Sequence, residues 1–187
     1  MLVLPPEIHK EQLISEEYRK DQQKLHENPD YGVASVHFAP IVSKVCNQYQ
    51  VDELLDYGCG KARLMKSIEV DHALDIQLYD PAIPEWAEPA EPCEMVACLD
   101  VLEHIEPDKL EHVLDDLQRV TKRIGFFTIS TVPAVKTLSD GRNAHLIIED
   151  LEWWLPKIVE RWELHMLQRM PDGFMVLVMP KTYKVAH

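Results

Sequence analysis

A doubly wound α/β sheet, mostly parallel, finished by an antiparallel hairpin and carrying helices on both faces, is the fold this sequence predicts. Three observations carry the prediction. Short apolar runs alternate with helix-like runs between residues 53 and 132, and strands separated by helices imply parallel βαβ units. The first unit is broken by Gly58 and Gly60, two of only six glycines in the chain, as a tight strand-to-helix turn or a close backbone approach to a ligand requires. Near the end, Pro171-Asp172-Gly173 separates two apolar runs and signals a hairpin.

Each element follows from its local pattern. Residues 7 to 27 are polar and glycine-free, with Ile8, Leu13, Ile14, Tyr18 and Leu25 at irregular helical spacing; they predict a weakly attached amphipathic helix. Asn28-Pro29-Asp30-Tyr31-Gly32 is a turn cluster. Ser35 is placed to cap a second helix with Phe38, Ile41, Val42 and Val45 on one face and Pro40 in its first turns. Strands are predicted over 53–58, 75–81, 95–100 and 123–132, and helices over 61–68 and 108–122. The second of these helices turns Leu110, Val113, Leu114, Leu117 and Val120 inward. The acids and prolines of residues 82–94 make a loop. A helix over 148–162, interrupted at Pro156, leads into the hairpin strands.

The totals bound the function. At 187 residues the chain suffices for one packed domain and is short for two, so residues 1–187 are expected to form a single domain with 1–48 as a helical cap. No apolar run is long enough to span a bilayer, and the start lacks the basic-then-apolar design of a signal peptide; a cytoplasmic protein is the expectation. Cys46, Cys59, Cys93 and Cys98 have no C-x-x-C spacing and sit in or beside apolar segments, which predicts reduced, packed thiols. A formal net charge of −13 disfavours a phosphate backbone as partner and favours a small molecule or a protein.

In a parallel α/β sheet, ligands bind beyond the carboxyl ends of the strands, where strand order reverses. Gly58 and Gly60 follow the first strand, Asp80 ends the second, Asp100 the third, and Ser130, Thr131 and Pro133 the fourth. Here the segment Asp56-Tyr57-Gly58-Cys59-Gly60-Lys61-Ala62 resembles the glycine motif of class I S-adenosylmethionine-dependent methyltransferases, usually Asp-x-Gly-x-Gly-x-Gly. Leu78-Tyr79-Asp80-Pro81, Leu99-Asp100-Val101-Leu102-Glu103-His104-Ile105 and residues 126–133 match further segments of that family in order. The resemblance spans roughly residues 35 to 180 and implies a Rossmann-like, mostly parallel seven-stranded sheet. It departs at Ala62, where the family has a third glycine; alanine is the smallest replacement. Taken singly, the glycine pair reads as an ordinary turn, Asp80 as a loop cap, and Asp100 and Glu103 as helix-start acids.

The resemblance implies S-adenosylmethionine as cofactor and S-adenosylhomocysteine as product. Asp56 would meet the methionine amino group, with Gly58, Cys59 and Gly60 beside the sulfonium and ribose. Asp80 and Pro81 would lie at the ribose, and Leu99, Asp100 and Val101 around the adenine. Methyl transfer from a sulfonium needs placement of a nucleophile and removal of a proton, and requires no metal. The acceptor side is expected in the amino-terminal helices and in residues 133–154, which resemble the corresponding loop of quinone-precursor O-methyltransferases. His145 is the candidate base or substrate ligand and His104 its rival; Asp140, Arg142, Asn143, Trp153 and Tyr31 are candidate acceptor contacts. A loop stitched by its own hydrogen bonds, with His145 as a structural member, is the equal alternative.

The expected function is methyl transfer to an oxygen or nitrogen atom of a small molecule. A nucleic-acid methyltransferase is opposed by the acidic charge and by Ser130-Thr131-Val132-Pro133 where amino-directed DNA enzymes carry Asn/Asp-Pro-Pro-Tyr/Phe. A cofactor-binding regulatory or scaffold protein is the other alternative. The sequence does not indicate oligomeric state.

Overall fold

The computed structural model describes residues 10–28 and 32–181. In chain order the elements are α1 (Lys10–Leu13), α2 (Glu16–His26), α3 (Ala34–Tyr49), β1 (Glu53–Tyr57), α4 (Arg63–Ser67), β2 (Asp75–Tyr79), β3 (Cys93–Leu99), α5 (Leu110–Val120), β4 (Thr121–Ser130), α6 (Leu151–Arg161), β5 (Trp162–Met170) and β6 (Gly173–Pro180). Short 3-10 turns occupy Pro84–Trp86 and Leu102–His104.

One sheet runs in the order β2-β1-β3-β4-β6-β5. The first four strands pair in parallel, and β6 pairs antiparallel with both β4 and β5. The expected doubly wound sheet with its terminal hairpin is present, with six strands rather than seven. Residues 81–92 carry Pro81, Pro84, Pro89 and Pro92; proline cannot donate to a ladder and its ring fixes φ, so this stretch forms a loop with a 3-10 turn. Since β2 and β3 lie on opposite sides of β1, strand order reverses at β1/β3, and a crevice opens there beyond Tyr57 and Leu99.

Side chains alternate across the pleat and build two apolar layers. Leu55, Val96, Cys98, Phe127 and Val176 pack with α5 and α6, through Leu114, Leu117, Trp154 and Ile158. Leu54, Met95, Ala97, Phe126 and Leu177 pack with Phe38, Val42 and Cys46 of α3 and Leu64 of α4. The four cysteines are buried and free. No helix among the described residues is long and apolar enough to cross a membrane.

Three local expectations change. The amino-terminal helix divides, because Ser15 caps α2 with its hydroxyl on the Tyr18 N–H at 3.2 Å. Ser35 is not a cap: α3 starts one residue earlier, after Val33, and holds Pro40 in its interior. Pro156 does not interrupt α6; Asp150 caps it, and Trp154 and Ile158 are fully buried, so tertiary packing offsets the lost backbone bond.

Candidate functional site

The crevice at the carboxyl ends of β1, β2 and β3 is a cleft of about 280 Å³. Its roof is Ile14, in the link before α2, and α2 itself, whose Tyr18, Gln22 and His26 line it. A spacing of four residues puts them on one helical stripe. The helix is seated by buried polar contacts: the Tyr18 hydroxyl donates to the His104 carbonyl at 2.5 Å, and Gln22 Nε2 donates to that hydroxyl at 2.6 Å.

The floor is the glycine loop. Gly58 has φ +77°, and a Cβ there would lie 2.5 Å from Val101 Cγ2; both backbone freedom and lack of a side chain are therefore needed. The N–H groups of Gly58 and Cys59 both donate to the Tyr79 carbonyl, at 2.8 and 3.0 Å, and tie the loop to the end of β2. Gly60 N–H donates to Asp80 Oδ2 at 2.9 Å. Ala62 stands at the third glycine position with φ 53° and ψ 39°, a left-handed conformation that costs an L-residue about 1–2 kcal/mol. Ala62→Gly is therefore expected to stabilise the protein by about 0.5–1 kcal/mol, the strain relief exceeding the added unfolded-state entropy. Urea unfolding of the pair measures this, and a destabilised variant would contradict the left-handed assignment.

Three carboxyl groups follow the crevice. Asp56 is 2% exposed, and its Oδ2 has no hydrogen-bond partner among the described residues. Burial, helped by the charge of Asp80, raises its pKa to about 7. Both oxygens of Asp80 are used: Oδ2 by Gly60 and Oδ1 by the Ala82 N–H at 2.9 Å. Burial raises its pKa against the pull of the Ala82 N–H, the His26 charge and the Gly60 N–H. Asp100, itself at φ 52°, accepts the Thr128 hydroxyl at 2.6 Å, and burial raises its pKa as well.

At the far end stand His104 and His145, with ring centroids 4.6 Å apart in an edge-to-face contact. His104 Nδ1 lies 2.8 Å from the Ala144 carbonyl and His145 Nδ1 2.6 Å from that of Val132. A carbonyl only accepts, so each Nδ1 carries the hydrogen. Burial, with His145 adding to it, lowers the pKa of His104 to about 4, which keeps that ring neutral at pH 7. Behind them Glu103 is 0% exposed. Its Oε1 accepts the Ser130 N–H at 2.9 Å, and burial followed by the Asp100 charge raises its pKa.

The structure brings Asp56, Gly58, Cys59, Gly60, Asp80, Pro81, Leu99, Asp100, Val101, His104 and His145 to this one cleft. It does not bring Asp140, Arg142, Asn143 and Trp153 to its wall. Asp140 and Arg142 are exposed and satisfy each other, Nε to Oδ2 at 2.6 Å. Asn143 staples its own loop: Oδ1 accepts the Ala134 and His145 N–H groups at 2.9 Å each, and Nδ2 returns to the Ala134 carbonyl. Trp153 is 37% exposed on α6 beneath the Lys157 ammonium. Tyr31 lies outside the described residues. Sequence reasoning missed Gln22 and His26, whose signal was the four-residue spacing from Tyr18.

A family model described as a methyltransferase domain matches residues 18–174. No curated protein matches by sequence. Among solved structures, the Burkholderia thailandensis 1,6-didemethyltoxoflavin-N1-methyltransferase, crystallised with its didemethyltoxoflavin and S-adenosylhomocysteine, is similar with a TM-score of 0.61 at 16% identity, over 96% of this chain and 94% of that one. A DhpI–SAH complex is similar with a TM-score of 0.55 at 15% identity, over 89% and 98%. The small RNA methyltransferase HEN1 is similar with a TM-score of 0.56 at 11% identity, over 79% of this chain and 25% of that one. At such identities the likeness is one of fold.

Proposed function

The chain belongs to the methyltransferase-domain family, and on that premise we propose that it is an S-adenosylmethionine-dependent enzyme that methylates an oxygen or nitrogen atom of a small-molecule acceptor. The observation that carries this reading is Asp56, a buried carboxyl with one oxygen unpartnered among the described residues, beside a glycine loop that lines the crevice. Such an oxygen suits an ammonium group, which supplies both hydrogen bonds and the countercharge that burial demands. Asp80 holds Gly60 and Ala82 and keeps a second lone pair on each oxygen for ribose hydroxyls. Leu99, Asp100 and Val101 offer an apolar and polar edge for the base. S-Adenosylmethionine, when bound, supplies an electrophilic methyl group.

The chain's own contribution is placement and proton removal. His145, oriented by its Nδ1 contact and by the Asn143 staple, fits a base or a ligand to the acceptor; His104 beside it fits a neutral hydrogen-bonding partner. Tyr18 and Gln22 would close the cleft from above and exclude water. The net charge of −13 supports a small molecule over RNA, although the fold is shared with an RNA enzyme. The free, buried cysteines suit a reducing compartment and support a cytoplasmic enzyme. We take residues 1–187 as one domain with 1–48 as its cap.

Calorimetric titration with S-adenosylmethionine and S-adenosylhomocysteine tests the cofactor reading. Micromolar binding of both is expected, weakened about tenfold or more in Asp80→Asn, as loss of a charge-assisted hydrogen bond implies. No binding to the wild-type chain would reject the reading, and unchanged affinity in the variant would remove Asp80 from the ribose. S-Adenosylhomocysteine formation with pooled hydroxy and amino acceptors then separates an enzyme from a binding protein.

A further inference from the structure

Gly60 admits a side chain from the roof. A Cβ on Gly60 would lie 2.9 Å from His26 Cε1 and 3.5 Å from its Nδ1, so the imidazole occupies the place of a side chain on the glycine loop. Contacts on either side of His26 hold this end of α2 to the loop and to the end of β2. Gln23 Nε2, three residues earlier, donates to the Ala82 carbonyl at 3.0 Å, and the Lys61 ammonium donates to the carbonyl of Asn28. His26 thereby lines the same cleft as Gly60, Asp80, Pro81 and Ala82.

Asp80 creates a demand that this ring meets. A carboxylate only accepts hydrogen bonds, and each oxygen here already takes one N–H, Gly60 for Oδ2 and Ala82 for Oδ1. A ribose hydroxyl that donates to Asp80 keeps lone pairs on its own oxygen, and in a buried pocket those require a donor. The two N–H groups spent on the carboxylate do not supply it. Burial lowers the pKa of His26 against the pull of the Asp80 charge, with Lys61 adding to the lowering. The ring is therefore neutral at pH 7 and carries one N–H and one lone pair.

We propose that His26 is a cofactor-contacting residue: its ring N–H donates to a ribose hydroxyl whose own hydrogen goes to Asp80, and Gly60 lacks a side chain so that this ring can enter. The hydroxyl then lies between an acceptor at the end of β2 and a donor on α2, and the cofactor fastens the roof to the sheet. A cofactor lacking that hydroxyl leaves the imidazole N–H and one Asp80 lone pair without their partner. A site built to hydrogen-bond a hydroxyl rejects the analogue without it more strongly than an apolar wall does. His26 and Asp80 together therefore act as a filter for the intact ribose.

The ribose contact rests on the methyltransferase reading; the seating of the ring on Gly60 does not. The test is calorimetric titration of the full chain with S-adenosylhomocysteine and with its 2′-deoxy and 3′-deoxy analogues, in the wild type, His26→Ala and His26→Phe. Phenylalanine keeps a ring over Gly60 without an N–H, so its variant decides the matter if the alanine variant fails to fold. Both variants are expected to bind S-adenosylhomocysteine about tenfold more weakly, the loss of one buried hydrogen bond. One of the two analogues is expected to bind the wild type and the variants alike. Equal S-adenosylhomocysteine affinity in a folded variant, or an unchanged penalty for both missing hydroxyls, overturns the contact. Thermal unfolding tests the seating: Gly60→Ala is expected to lower the midpoint by about 2–4 °C less in the His26→Ala background than in the wild type. Equal shifts overturn the seating. If S-adenosylhomocysteine does not bind the wild-type chain, the methyltransferase reading fails and the ribose contact with it, while the Gly60 shifts still decide the seating.

Discussion

Gly58→Ala is expected to destabilise the protein by about 3 kcal/mol and to abolish cofactor binding, combining a left-handed backbone with an overpacked contact. The φ of +77° charges any L-residue the first cost, and the Val101 methyls, 2.5 and 2.9 Å from the added carbon, impose the second. The two can be separated. Val101→Ala removes both methyls and leaves the backbone strain, so the double variant is expected to be about 1–2 kcal/mol more stable than the sum of the single effects. Urea unfolding of the four proteins completes the cycle. Additive effects would show that residues 58 and 101 do not meet as described.

Asp56→Asn is expected to move binding and stability in opposite directions. The wild-type carboxyl titrates near pH 7 in the folded chain and near 4 when unfolded. Between these values the folded state holds the extra proton, so stability falls as pH rises from about 4 to 7, by up to about 4 kcal/mol at 1.36 kcal/mol per unit. Asparagine has no charge to bury, and after the cost of an unsatisfied amide the variant should be about 2 kcal/mol more stable at pH 8. The advantage should vanish at pH 4. Affinity for S-adenosylhomocysteine should fall about 100-fold in the variant at pH 8, because the ammonium loses its countercharge. In the wild type the affinity should weaken about tenfold per unit below pH 7. A pH-independent wild-type affinity would remove Asp56 from the ammonium role.

The half of the cleft proposed for the cofactor could be read from the chain because its residues sit at or just past the ends of strands, and a parallel sheet brings all such ends to one rim. Gly58, Asp80 and Asp100 needed only correct strand assignments to be grouped. The half proposed for the acceptor depends on packing. Gln22 and His26 look like the solvent face of a polar helix until Tyr18 is seated on the His104 carbonyl. Glu103 and His145 are far apart in sequence, and only the loop closed by Asn143 brings them together. Asp140 and Arg142 lie away from the cleft wall and pair with each other, and Trp153 is exposed on α6; neither the pairing nor the exposure can be read from sequence spacing. Pro156 reads as a helix break because local rules omit the burial of Trp154 and Ile158 that holds α6 through it.

The six-stranded sheet ends on β2 at one side and on β5 at the other, and open edges invite another polypeptide to add a strand. β5 meets that hazard with exposed Glu163, His165, Gln168 and Arg169 and with an irregular register between Leu164 and Met166. Beside β2 the proline-bearing loop is tied to Gln77 through the Glu91 N–H at 2.9 Å. Held there, the loop lends the β2 flank prolines that cannot donate to a ladder, which makes that flank a poor template for an added strand.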